Sequence, residues 1–182
     1  MEQERIQRVL QAMKERGLSQ MIVCDPESVD YLTGVYVAPF ERLFALYLQA
    51  DGGHVFFLNK LFTVPETPIE KVWFTDTDDA IGLVAQRVRA GEPLGIDKEW
   101  TARFLLPLME RLPGTPCVLA SDCVDGVRAR KDEKEQELMR QSSRINDQVM
   151  ERAAAYIREG MTERQVADYL TAQYSDLGCE GL

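Results

Sequence analysis

Hydrophobic positions along the chain fall into two regimes. Up to about residue 120, short apolar runs alternate with helical stripes; from Asp132 onward only stripes remain. Glu2 to Arg16 carries Ile6, Val9, Leu10 and Met13 at helical spacing and closes on Gly17. Met21-Ile22-Val23-Cys24 is a continuous apolar run, the pattern of a strand covered on both faces. Asp25-Pro26 turns the chain, and Ser28 to Leu32 predicts a short helix ending before Gly34. Leu43 to Leu48 and Val55 to Leu58 flank Asp51-Gly52-Gly53, a hairpin signal. Thr63 to Pro68 reads as loop, and Val72-Trp73-Phe74 as a strand. Asp78 or Asp79 then caps a helix carrying Ile81, Val84, Ala85 and Val88. Leu94-Gly95-Ile96 is a short strand, Phe104 to Leu112 a striped helix, and Cys117 to Ala120 a last strand.

The pattern predicts an α/β fold: a mixed sheet of about six strands with helices on its faces. Sheet pattern gives way to helix between Ser121 and Val127, which sets the expected domains at 1–124 and 125–182.

The second part predicts two long helices. Asp132 and Glu135 form a capping-box pattern, and acidic residues load the first turns. Leu138, Ser142, Ile145, Val149, Ala153 and Tyr156 repeat at spacings of three and four, and Gly160 is the expected stop, with Arg158 near the end. Thr162 and Gln165 open a second capping box before Val166, Ala167, Leu170, Tyr174 and Leu177, and Gly178 closes that helix. Both apolar stripes are expected to lie open and to drive self-association.

Several phrases in this frame resemble a known family. Arg130-Lys131-Asp132 with Glu135, then Ile157-Arg158-Glu159-Gly160-Met161-Thr162-Glu163 and Val166-Ala167, resemble the opening of the catalytic domain of the creatinase/prolidase/aminopeptidase P family, the pita-bread metallopeptidases. Tyr31-Leu32-Thr33-Gly34 resembles a phrase of that family's amino-terminal domain, and Gly178-Cys179-Glu180-Gly181-Leu182 its continuation toward the metal region. The resemblance implies a creatinase-type amino-terminal domain followed by the first helices of a truncated pita-bread domain. It further implies a proline-specific peptidase (Xaa-Pro dipeptidase or aminopeptidase) of which this chain is the non-catalytic part, shaping the substrate entrance and the dimer contact. A peptide substrate with proline, a homodimer and two divalent metals (manganese, cobalt or zinc) are implied for the full-length enzyme. The family's metal ligands, two Asp, one His and two Glu, fall beyond Leu182, so no catalytic, cofactor-binding or metal residue is assigned and the chain alone is expected to be inactive. Two other readings stay open: a creatinase-like C–N hydrolase, and a peptidase-dead module that binds protein.

Composition adds exclusions. Charged residues make up 28% and hydrophobic residues 45% of the chain, and the net charge is −9. So acidic a chain lacks the general electrostatics that hold nucleic acid or an anionic membrane. No apolar run approaches the roughly 18 residues of a bilayer span, and Met1-Glu2-Gln3-Glu4-Arg5 is unlike a secretory signal, so a cytoplasmic location is expected. Cys24, Cys117, Cys123 and Cys179 form no C-x-x-C pair and read as reduced thiols. A Ser or Cys nucleophile would need a nearby base, and the single histidine, His54, directly follows the hairpin turn, where a lone polar residue reads as a turn or edge residue. Asp76-Thr77-Asp78-Asp79 is the densest carboxylate group and reads as helix capping. Neither a G-x-S-x-G nor a phosphate-loop pattern occurs.

Overall fold

Six strands in the order β4-β3-β2-β1-β5-β6 span residues 20–119 of this computed structural model, which describes residues 2–179. The strands are β1 (Gln20–Val23), β2 (Ala45–Gln49), β3 (Val55–Asn59), β4 (Glu70–Phe74), β5 (Leu94–Ile96) and β6 (Cys117–Leu119). β2 is antiparallel to β1 and β3; the pairs β1–β5, β5–β6 and β3–β4 are parallel. The mixed α/β sheet expected from the pattern is therefore present.

Its two faces follow from strand periodicity. Met21, Val23, Leu46, Leu48, Phe56 and Leu58 point to one core, shared with the helices α1 (Glu2–Glu15), α2 (Pro26–Thr33) and α5 (Asp122–Ala129). Ile22, Ala45, Tyr47, Val55 and Phe57 point to the other, covered by α3 (Ala80–Ala85) and α4 (Ala102–Arg111). Residues 20–23 are buried throughout, as a central strand with helices on both sides demands. Gly95, in the middle of β5, sits where a Cβ would meet Ala120 Cβ at 2.9 Å and Met21 Cβ at 3.1 Å, so the close approach excludes a larger residue.

The phrase Tyr31-Leu32-Thr33-Gly34 ends α2, and each residue has a local task. Asp25 caps the helix start, accepting from Ser28 N, and Pro26 occupies its first turn. Leu32 is fully buried. The Thr33 hydroxyl donates to Val29 O (2.7 Å) and accepts from Val35 N (3.2 Å). Gly34 takes φ +69°, the left-handed closing position.

Sequence pattern places the domain boundary after residue 124, whereas the first compact unit runs through Arg130. The reason is α5, which pattern alone leaves unassigned. Its Cys123, Val124 and Val127 are buried in the core with α1 and α2.

The second unit, Lys131–Leu182, holds α6 (Glu133–Tyr156) and α7 (Glu163–Asp176). Both predicted capping boxes form: Asp132 with Glu135, and Thr162 with Gln165. Two expectations need correction. First, α6 stops at Tyr156 rather than Gly160. Ile157 turns extended (ψ 132°), Arg158 therefore lies past the helix, and Gly160 (φ +85°) shapes the turn into α7. Second, the whole apolar stripe of α6 is not open. Arg152 donates to Gln173, Tyr174 to Asn146, and Tyr156 stacks on Tyr169 with ring centroids 3.8 Å apart. α7 thus lies along the later half of α6, where Val149 and Ala153 are buried, while Leu138 and Met139 in the earlier half stay exposed. The closing Glu180-Gly181-Leu182 lies outside the described residues.

Candidate functional site

The sheet topology collects loops at one edge. β1, β3, β4, β5 and β6 all end there, and β2 begins there, since Val23 pairs with Leu46, Asn59 with Phe74 and Ile96 with Leu119. In α/β sheets the carboxyl edge is the usual place for ligands.

A buried carboxylate ties this edge together. Asp97, only 4% exposed, follows β5 and accepts from the backbone N–H of Cys24 (3.2 Å), Asp25 (3.2 Å) and Glu99 (3.1 Å). Ser121, after β6, donates its hydroxyl to Asp97 at 3.5 Å and accepts from Lys98 N at 2.7 Å. One side chain thereby fixes the ends of β1, β5 and β6. Asp25 extends the network by accepting from the Ser28 hydroxyl (2.6 Å) and the Arg128 guanidinium (3.2 Å).

Two cavities open along the edge. One of about 370 Å³ lies over the ends of β3 and β4 and is lined by Asn59, Asp76, Asp79, Arg103 and Arg111 among others. A second of about 200 Å³ is lined by Cys24, Pro39, Phe40, Glu99 and Trp100, and both share Arg42 and Phe104. Phe40 sits at the mouth with its side chain 86% exposed and φ at +52°, a left-handed conformation unfavourable for an aromatic residue. The buried Trp100 indole N–H has no hydrogen-bond partner among the described residues.

The carboxylates weighed from sequence fall into this region, with structural tasks. Asp76 accepts from Arg42 through both oxygens (3.1 Å) and from Asn59 (2.7 Å). Asp78 accepts from Thr75 N and its hydroxyl, and Asp79 caps α3 through Gly82 N while pairing with Arg111. Each carboxyl is held below its usual range: Asp76 by Arg42, Asp78 by the Thr75 amide, Asp79 by Arg111. Of the two capping candidates, Asp79 is therefore the cap.

His54 lies at the opposite end of the sheet, before β3. Its Nδ1 accepts from Gln49 N at 3.2 Å, and burial lowers its pKa. All four cysteines are free. Burial raises the thiol pKa values of Cys24, Cys117 and Cys123, and Cys24 is pushed up further by Asp97, Asp25 and Glu99. The edge thus offers an aromatic, mixed-charge groove for binding, without a thiolate or a nearby imidazole to react. Among the described residues no group of three or more His, Cys, Asp or Glu could hold a metal ion, and no helix is long and apolar enough to cross a membrane. Asp97, Arg42, Phe40 and Trp100 belong to no sequence motif; only their placement brings them together.

Comparison with known proteins gives two consecutive matches. Residues 5–130 match the Creatinase/Prolidase N-terminal domain, and residues 137–182 match Metallopeptidase family M24. A probable dipeptidase PepE of Mycobacterium tuberculosis is 30% identical over 165 residues, covering 86% of this chain and 44% of the relative. The crystal structure of dipeptidase PepE from Mycobacterium ulcerans superposes with a TM-score of 0.79 at 26% identity, covering 94% of this chain and 49% of that one. A prolidase from Thermococcus sibiricus reaches 0.85 at 22% identity, covering 98% and 50%, a likeness of fold. The chain spans about half the length of the relatives it matches.

Proposed function

The chain belongs to the creatinase/prolidase family, and on that premise we propose that it is the non-catalytic amino-terminal part of a metal-dependent Xaa-Pro dipeptidase-like hydrolase. The observation that carries this reading is the order of the two matches along one chain, 5–130 and then 137–182, together with the likeness to a probable dipeptidase over 165 residues. Such an enzyme works in the cytoplasm as a homodimer, on peptides containing proline. Metals bound by the full-length protein would activate water for attack on the peptide carbonyl. The residues present here do not supply those ligands; they bind and orient. The carboxyl edge shapes the entrance for peptide. Phe40, Phe104 and Trp100 give an apolar lining, while Arg42, Glu41 and Glu99 set charge around it. Asp97 holds the loops in place.

The test is to read the coding sequence downstream of Leu182 and express the whole frame. A frame bearing two Asp, one His and two Glu as a metal cluster, whose product hydrolyses a Xaa-Pro dipeptide with manganese or cobalt, is expected. A product that cleaves creatine instead, or binds metal at no site, overturns the proposal.

A further inference from the structure

α4 carries an unusual outer face. Its inner side is ordinary: Leu108 is fully buried, and Phe104, Leu105 and Leu112 pack into the same core. On the outer side Leu106 is 57% and Met109 44% exposed, at helical spacing with exposed Ala102. Two charges bracket them on that same face, two turns apart: Arg103 near the start and Glu110 near the end. Neither is ion-paired among the described residues. Among the described residues Arg103 donates only to the Glu41 carbonyl (3.3 Å), and its guanidinium lies over the Phe104 ring. The face therefore reads cation, apolar centre, anion along its axis.

That arrangement is complementary to itself. When a second identical helix lies antiparallel across it, Leu106 meets Leu106, and each Arg103 comes opposite the Glu110 of the other copy. A two-fold axis satisfies all four charges at once. The exposed start of α6 differs: Glu137 beside Leu138 is already paired with Arg140 (3.3 Å) and Arg144 (3.7 Å) of its own helix. Its charges call for no partner.

We infer that the outer face of α4 is a self-association surface, whose occupant is α4 of a second copy of this chain, antiparallel about Leu106. The inference rests on the homodimer reading above and adds to it the contact surface. One ten-residue helix per copy is about 15 Å long. Alone it makes less than a standard interface, so the expected Kd is on the order of tens of micromolar or weaker.

The experiment is sedimentation velocity of the 182-residue chain over a concentration series from about 5 µM to about 1 mM, spanning the range expected for a small interface. Wild type should dimerise reversibly. Leu106→Glu should stay monomeric. Arg103→Glu should weaken association at least about tenfold, and Arg103→Glu with Glu110→Arg should restore it to within about threefold, as a charge pair between copies requires. These residues are exposed, so thermal melts should match wild type; if Leu106→Glu misfolds, the charge-swap pair alone decides. A wild type monomeric throughout overturns the inference and the homodimer reading for this chain together. A wild-type dimer indifferent to Leu106→Glu, or a charge swap that restores nothing, overturns the α4 surface alone.

Discussion

Replacing Asp97 by Ala removes the tie between three strand ends, and its effect can be worked from the hydrogen bonds lost. The carboxylate accepts from Cys24 N, Asp25 N and Glu99 N, at 3.2, 3.2 and 3.1 Å. The Cys24 bond is buried; the other two are partly buried. An orphaned buried donor costs about 1–3 kcal/mol, and a donor that regains water loses roughly 0.5–1.5 kcal/mol. The sum is about 2–6 kcal/mol, a large share of a single domain's stability of about 5–15 kcal/mol. With a urea m-value of about 1–3 kcal/mol/M, a loss near 3 kcal/mol moves the midpoint down by about 1–3 M. Asp97→Asn keeps one acceptor oxygen, so it should lose roughly half as much. Asp122→Ala is the control, since Asp122 makes an exposed pair with Arg16 worth at most about 1 kcal/mol. Urea unfolding followed by tryptophan fluorescence reads all three, because Trp100 stands three residues from the change. The reasoning fails if Asp97→Ala moves the midpoint no further than the control, or if Asn is as damaging as Ala.

Three further outcomes follow from the same structure. Gly34→Ala places a Cβ at φ +69° and should cost about 1–2 kcal/mol in thermal or urea melts, whereas Gly126→Ala, helical with open space around it, should be neutral or stabilising. His54 has a lowered folded pKa, so its stabilising contribution is complete above the usual histidine value and declines as pH falls toward and through the folded value; His54→Gln should flatten that slope between about pH 7 and 5, and an unchanged slope refutes the assignment. The thiols of Cys24 and Cys123 are buried with raised pKa values, so at pH 8 they should resist a disulfide reagent in the native state and react once urea unfolds the chain; fast native reaction at Cys24, located by mass spectrometry, contradicts this.

Residue pattern carried some features of the fold and missed others for identifiable reasons. Met21 to Cys24 read as a buried strand, one residue off the observed Gln20–Val23, because helices cover both faces, and Asp51-Gly52-Gly53 places the hairpin because its glycines take positive φ. Both capping boxes were legible because Asp132 and Thr162 act within three residues of themselves. α5 was not legible: its eight residues include Gly126, and its burial depends on α1 and α2, far away in sequence. The end of α6 at Tyr156 escaped a reading that took Gly160 as the helix stop, when the glycine serves the following turn. The edge network was hidden for a simpler reason. Asp97 sits about seventy residues from the Cys24 and Asp25 amides it binds, and its local contact to Glu99 N does not reveal those distant partners.

The proposed function gives this chain binding and orientation and assigns the metal-dependent reaction to residues outside it; among the described residues no group of three or more His, Cys, Asp or Glu could hold a metal ion. Incubating the purified chain with a Xaa-Pro dipeptide and added manganese, cobalt or zinc tests it most directly. No proline release above the metal-only background is the expected result. Turnover that stays with the chain through further purification, and that a chelator abolishes, would contradict the account.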